Sequence, residues 1–195
     1  GKFIAIAGNI GAGKTELTEY LCRRYQLRAS FEPNEANPYL ADFYRDMKTW
    51  AFRSQMFFLV RKFGLHLQLR HEKRSVVQDR TIYEDAEVFA AHLHRQGYLD
   101  ERDWATYQML YQALRDEIRP PDLMIYLRCP LKTLVKRIRQ RGRDFERKIP
   151  RAYLASLEAL YEEWFARYNL SPRLTVETDR LDYVERLFDR LELEQ

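Results

Sequence analysis

A chain of 195 residues, 46% hydrophobic and 32% charged, can bury about 70% of its unfolded surface, enough for one domain with its own core and no disulfide or metal staple. No apolar run approaches the roughly 18 residues of a membrane span, and Cys22 and Cys129 show neither metal-site nor disulfide spacing, so both read as small core residues. The net charge of +4 is concentrated in "KRIRQRGRDFERK", Lys136 to Lys148, a basic cluster without interleaved aromatic residues, which suits a small polyphosphate better than a nucleic acid polymer.

The chain opens on "KFIAIAG", a strand over Phe3 to Ala7. It has no n-region, h-region or cleavage site and no initiator Met, which leads to the expectation of a cytoplasmic protein trimmed at its N-terminus. Next come "GNIGAGKT" and a helix whose stripe is Leu17, Leu21 and Tyr25. A second strand is expected over Leu27 to Phe31, then a largely helical insertion over Pro33 to Arg74, then a third strand over Ser75 to Gln78. From Asp103 to Arg119, Trp104, Tyr107, Tyr111, Leu114 and Ile118 alternate in steps of three and four. That is the seam of a helix packed along another, within the monomer or across a subunit interface. A fourth strand is expected over Leu123 to Leu127, followed by a helix with Leu131, Leu134, Val135 and Ile138 on one stripe. Another helix carries Tyr153, Leu157, Leu160, Tyr161, Trp164, Phe165 and Tyr168, and Leu174 to Val176 forms the fifth strand. Strands alternating with helices give an α/β fold, a five-stranded parallel sheet flanked by helices. With no repeat and no composition break, residues 1–195 read as a single domain.

"GNIGAGKT" comprises Gly8, Asn9, Ile10, Gly11, Ala12, Gly13, Lys14 and Thr15, and spends three of the chain's seven glycines. It fits the P-loop pattern of Gly, four residues, Gly, Lys and Ser or Thr, in the required place after a strand and before a helix. Glycine allows the positive φ angles that turn backbone N–H groups inward, and the following helix adds its positive end. Lys14 is expected at the β- and γ-phosphates of ATP, and the Thr15 hydroxyl at Mg2+.

A P-loop does not name the acceptor. In an open parallel sheet, ligands lie beyond the carboxyl ends of the strands, and two of those ends carry acids: Glu32 after "LRASF", and Asp79 after "SVVQ" with Arg80 next. One carboxylate can take a proton from an acceptor hydroxyl while another holds magnesium, and an arginine can neutralise the transferring phosphoryl group. Taken singly, each acid also reads as an N-cap or a loop carboxylate.

These motifs resemble those of the deoxynucleoside kinase family over nearly the whole chain. The family's P-loop is matched by Gly8 to Thr15, its "EP" by Glu32-Pro33, its "[ED]R[ST]" by Asp79-Arg80-Thr81, and its lid "RxxxRGRxxE" by Arg137, Arg141, Gly142, Arg143 and Glu146. The resemblance implies the P-loop kinase fold and transfer of the γ-phosphate of ATP to a deoxyribonucleoside 5′-hydroxyl. Glu32 would be the general base, Asp79 would lie near magnesium, and Arg80 would lie near the 5′-oxygen and the phosphates. It further implies Tyr44 and Glu146 at the sugar 3′-hydroxyl, Gln55 at the base edge, and Asp85 and Phe89 in the base pocket. A basic partner for Asp85 is implied at Arg61 or Lys62. Without the resemblance, Phe89 reads first as a core aromatic, while Tyr44 reads equally as a core aromatic, Asp85 as a helix cap and Gln55 as a surface residue.

Arg137 and Arg141 stand one helical turn apart, and Arg143 follows Gly142, a hinge or cap. Such a segment, about 137–149, reads as a lid that folds guanidinium groups over the phosphates and expels water, or else as a solvated basic face. "DRTIYEDAEVFA" looks most like bacterial family members, so deoxyadenosine or deoxyguanosine is expected, with deoxycytidine next. A homodimer through a helical face is expected. Two other readings stay open: a nucleoside monophosphate kinase, with Arg45, Arg53 or Arg61 holding the acceptor phosphate, and a non-catalytic nucleotide-binding regulatory module.

Overall fold

The computed structural model describes residues 1–31, 36–143, 146 and 149–179. Strands form at all five expected places: β1 (Phe3–Gly8), β2 (Arg28–Ser30), β3 (Val76–Asp79), β4 (Leu123–Arg128) and β5 (Arg173–Glu177). They make one parallel sheet in the order β2-β3-β1-β4-β5. The helices are α1 (Lys14–Tyr25), α2 (Leu40–Arg45), α3 (Met47–Leu69), α4 (Ile82–Glu84), α5 (Ala91–Arg95), α6 (Glu101–Arg115), α7 (Leu131–Arg141) and α8 (Arg151–Arg167). A π-helical segment, Asp85–Ala90, joins α4 to α5.

Side-chain alternation along β1 divides the interior in two. Phe3, Ala5 and Ala7 face one core, closed by residues of α3, α6 and α8. Ile6 faces the other with Leu17 and Leu21 of α1, Val77 of β3 and Leu134 of α7. Because crossover helices cover both faces of a parallel sheet, the central strand β1 is apolar throughout. The small Ala5 and Ala7 let α8 bring Tyr161 and Trp164 close, and these are among the largest fully buried side chains.

The stripes of α7 and α8 pack as their spacing predicts, but the α1 stripe stops one turn early. Tyr25 is 47% exposed, because the next residue, Gln26, takes a left-handed conformation (φ 55°) and ends the helix. On α6, Tyr107 and Tyr111 are buried in the core, with Trp104 stacked between His94 and Tyr107, so packing within the monomer accounts for much of that seam. In the described part of the insertion, Asn37 accepts from the Tyr39 N–H (2.9 Å) and donates to Ser54 Oγ (3.1 Å), fixing the start of α2 against α3.

One buried group on α3 ties stability to pH. His66 is 1% exposed, lies edge-on to Phe3 and Tyr83, and neither ring nitrogen has a hydrogen-bond partner among the described residues. Burial, with the Lys62 ammonium nearby, lowers its pKa from the usual 6.5 to about 3. Between those two values the unfolded chain binds a proton that the folded chain refuses. Folding stability therefore falls as pH drops from 6.5 toward 3, by at most about 5 kcal/mol. Urea titrations of His66→Phe are expected to show a shallower decline over that interval than wild type; an unchanged slope would assign the acid sensitivity to other groups.

Candidate active site

The P-loop departs from the end of β1 through backbone that side chains resist. Gly11 and Gly13 have φ of 82° and 99°, and a Cβ on Gly11 would stand 3.0 Å from Ile138 of α7. Gly13 caps α1 without a side-chain bond, and the first turn of a helix, with its N–H groups and positive dipole end, suits an anion. Asn9 fastens the loop to α8: its amide donates to Leu154 O (3.0 Å) and Glu158 Oε2 (3.1 Å), and its Oδ1 accepts from the Ile10 N–H (2.8 Å). Lys14 is buried, with its ammonium donating to Asn9 O at 3.0 Å.

Neighbouring β3 ends beside this loop because its residues run in register with β1, Ile6 opposite Asp79. The register brings the Thr15 hydroxyl to Asp79 Oδ2 at 2.7 Å. The other carboxylate oxygen, Oδ1, is buried with no hydrogen-bond partner among the described residues. Two oxygen donors side by side, one with a spare lone pair, suit magnesium, which takes few protein ligands and completes its shell with water and phosphate.

Arg80 follows in a left-handed conformation (φ 60°), which costs a residue with a Cβ on the order of 1 kcal/mol. Its N–H donates to Ile6 O (3.0 Å), its carbonyl accepts from Lys62 Nζ (2.9 Å), and its guanidinium lies over the Phe89 ring, 4.3 Å from the centroid. Thr81 then caps α4 through a capping box with Glu84.

Behind Arg80 lie buried polar side chains. Lys62 Nζ stands 3.4 Å from Asp85 Oδ2, both side chains almost wholly buried, whereas Arg61 is exposed. The basic neighbour of Asp85 is therefore Lys62. Gln55, on α3, is 4% exposed, and its Oε1 has no hydrogen-bond partner among the described residues. Thr81, not Asp85, takes the N-cap of α4, and Asp85 sits with Phe89 on the π-helical segment. Such widened turns are rare and recur at functional sites. Phe89 serves as the ledge under Arg80, and Tyr44, half-buried, leans on Phe43.

The lid residues divide into two groups. Arg137 points to the P-loop, donating to Ala12 O (3.1 Å) and to Thr178 O (2.7 Å). Gly142 (φ 70°) is the left-handed cap of α7. Past it, Glu146, 4% exposed, takes a bidentate bond from Arg141 at 2.6 and 3.0 Å, with Arg143 at 3.6 Å. Glu32 and Pro33 lie outside the described residues. Two of the three arginines weighed for an acceptor phosphate have other partners: Arg45 pairs with Asp42, and Arg53 donates to Thr49 O and lies over Trp50.

Sequence reasoning passed over Glu84, which turns out to be wholly buried between the P-loop and the Arg80 turn. The "TIYE" spacing of a capping box was its legible signal. The Lys62–Asp85 pair yields a stability test. Lys62→Met removes the cation beside a buried carboxylate and is expected to cost about 3–5 kcal/mol, most of it recovered in Lys62→Met/Asp85→Leu. Simple additivity in urea unfolding would show that the two charges do not act as a pair.

Comparison with known proteins agrees with this geometry. The family model Deoxynucleoside kinase matches residues 4–193. The chain is 35% identical over 181 residues to the deoxyadenosine/deoxycytidine kinase of Bacillus subtilis, covering 92% of this chain and 83% of that one. To the deoxyadenosine kinase of Dictyostelium discoideum it is 43% identical over 164 residues, 84% of this chain and 66% of that one. A solved structure of deoxyadenosine kinase from M. mycoides with bound dATP superposes with a TM-score of 0.87 at 30% identity, covering 98% of this chain and 100% of that one. With the phosphate loop, the Asp79-Arg80-Thr81 turn and the buried Lys62–Asp85 pair gathered at the carboxyl end of the sheet, the chain belongs to the deoxynucleoside kinase family.

Proposed function

We propose that this kinase transfers the γ-phosphoryl group of ATP to the 5′-hydroxyl of a deoxyribonucleoside in nucleotide salvage, with purine deoxynucleosides favoured and deoxycytidine next. The observation that carries the reading is Arg80, held in a strained turn between a phosphate loop on one side and the buried Lys62–Asp85 pair on the other. Gln55 is compatible with this range of bases: its carboxamide both donates and accepts, so it can pair with the edge of more than one nucleobase.

Catalysis is then positioning and charge neutralisation. Glu32, assigned from the "EP" motif, takes the 5′-hydroxyl proton as that oxygen bonds to the γ-phosphorus and the bond to the bridging oxygen breaks, releasing ADP. Lys14 and Arg80 bear on the transferring group, the P-loop residues Gly8 to Thr15 cradle the phosphates, and Arg137 approaches from the far side of the loop. Magnesium, with Thr15 and Asp79 as its protein ligands, would add charge neutralisation on the phosphate oxygens. Tyr44 and Glu146 take the 3′-hydroxyl, and Gln55, Asp85 and Phe89 surround the base. Nucleoside entry draws Glu146 toward the sugar and frees Arg141 and Arg143 for phosphate. The domain spans residues 1–195, with a lid over about 137–149. A cytoplasmic homodimer through a helical face belongs to this reading; α3 and α6 expose Val60 (56%) and Met109 (71%).

Incubation with ATP and each of the four deoxynucleosides and their monophosphates should yield product fastest from deoxyadenosine or deoxyguanosine. Product from monophosphates alone would sink the reading. Glu32→Gln is expected to lower kcat by about 100-fold or more with ATP affinity retained; near wild-type turnover would remove Glu32 as the base.

A further inference from the structure

Glu84 has no solvent exposure, and its two oxygens serve different parts of the site. Oε2 accepts from the Thr81 N–H (2.9 Å) and hydroxyl (3.3 Å), next to Arg80. Oε1 accepts from the N–H of Gly8, the first P-loop glycine, at 3.2 Å, and from the Tyr161 hydroxyl of α8 at 2.9 Å. Capping α4 would use Oε2 alone. Oε1 is spent on a contact to a backbone 76 residues away in the chain. Burial pushes the Glu84 carboxyl above the usual range, while Arg80, the Thr81 N–H, Lys14 and Lys62 favour its charged form.

We propose that Glu84 is a positioning residue that locks the P-loop to the Arg80 turn, so that the donor phosphates and the arginine beside the acceptor meet at a set separation. It touches no substrate, and the inference rests on the kinase reading above. Only an ionised carboxylate accepts from all four donors. A glutamine of the same shape places an N–H₂ against one donor pair and releases the P-loop or the turn. The looser geometry costs transition-state stabilisation more than ground-state binding.

Steady-state kinetics of Glu84→Gln with ATP and the best deoxynucleoside, per mole of folded protein well below its Tm, should show kcat down by about 10-fold or more and both KM values within about 3-fold of wild type. Tyr161→Phe deletes one donor to Oε1 with the ring kept in place, and should lower kcat by about 2- to 5-fold at unchanged KM. A purely structural Glu84 would lower Tm and leave kcat alone, and that result overturns the proposal. Should Glu84→Gln fail to fold, Tyr161→Phe decides, with wild-type kcat as the overturning result. Wild type is assayed alongside: no turnover of any deoxynucleoside sinks the kinase reading itself, whereas wild-type turnover with unaffected variants sinks only the role of Glu84.

Discussion

The phosphate loop hangs from the carboxyl end of β1, and β3 beside it sets Asp79 and the Arg80 turn relative to that loop. Strand β1 is central, flanked by β3 and β4 in parallel register, and closed on each face by a separate core. A strand buried on both sides cannot shift by one residue without exchanging its two sets of side chains between the two cores. The point where Gly8 leaves the sheet is therefore defined by packing, and so is the register that sets Asp79 opposite Ile6. The contact of 2.7 Å between Thr15 and Asp79 follows from that register combined with the direction in which α1 departs.

Around this end of the sheet the protein buries a set of charges: Lys14, Lys62, Asp79, Arg80, Glu84 and Asp85 are each less than a tenth exposed. Isolated, each would be costly; interlocked, they partly offset one another's desolvation. The arrangement also holds strain. Arg80 keeps its left-handed backbone because Ile6 and Lys62 bond to its N–H and carbonyl, and its guanidinium rests on Phe89. Strain that surrounding structure over-determines is a common property of active sites.

Much of this was legible in the chain itself. The five strands, the P-loop and the Asp79-Arg80-Thr81 turn are local patterns, each written in a few consecutive residues whose spacing has one sensible meaning. The α1 stripe failed only at Tyr25, where the helix terminates, an event that depends on Gln26 and leaves little trace in periodicity. Arg61 and Lys62 were indistinguishable by spacing because adjacent helical positions point only about a quarter-turn apart. The π-helical segment under Asp85 and Phe89 was invisible, since one widened turn in a short helix does not disturb an apolar pattern.

By itself, then, the sequence determined the α/β class, the phosphate loop and the polar residues placed at strand ends, because each depends on local propensity and on a period that burial imposes. Tertiary structure alone decided which cation faces Asp85, that Arg137 reaches back to Ala12 and Thr178, and that Glu84 bridges the P-loop and the Arg80 turn. Those are pairings between residues far apart in the chain. Packing of whole elements creates them, and no short stretch of sequence encodes a partner 76 residues away.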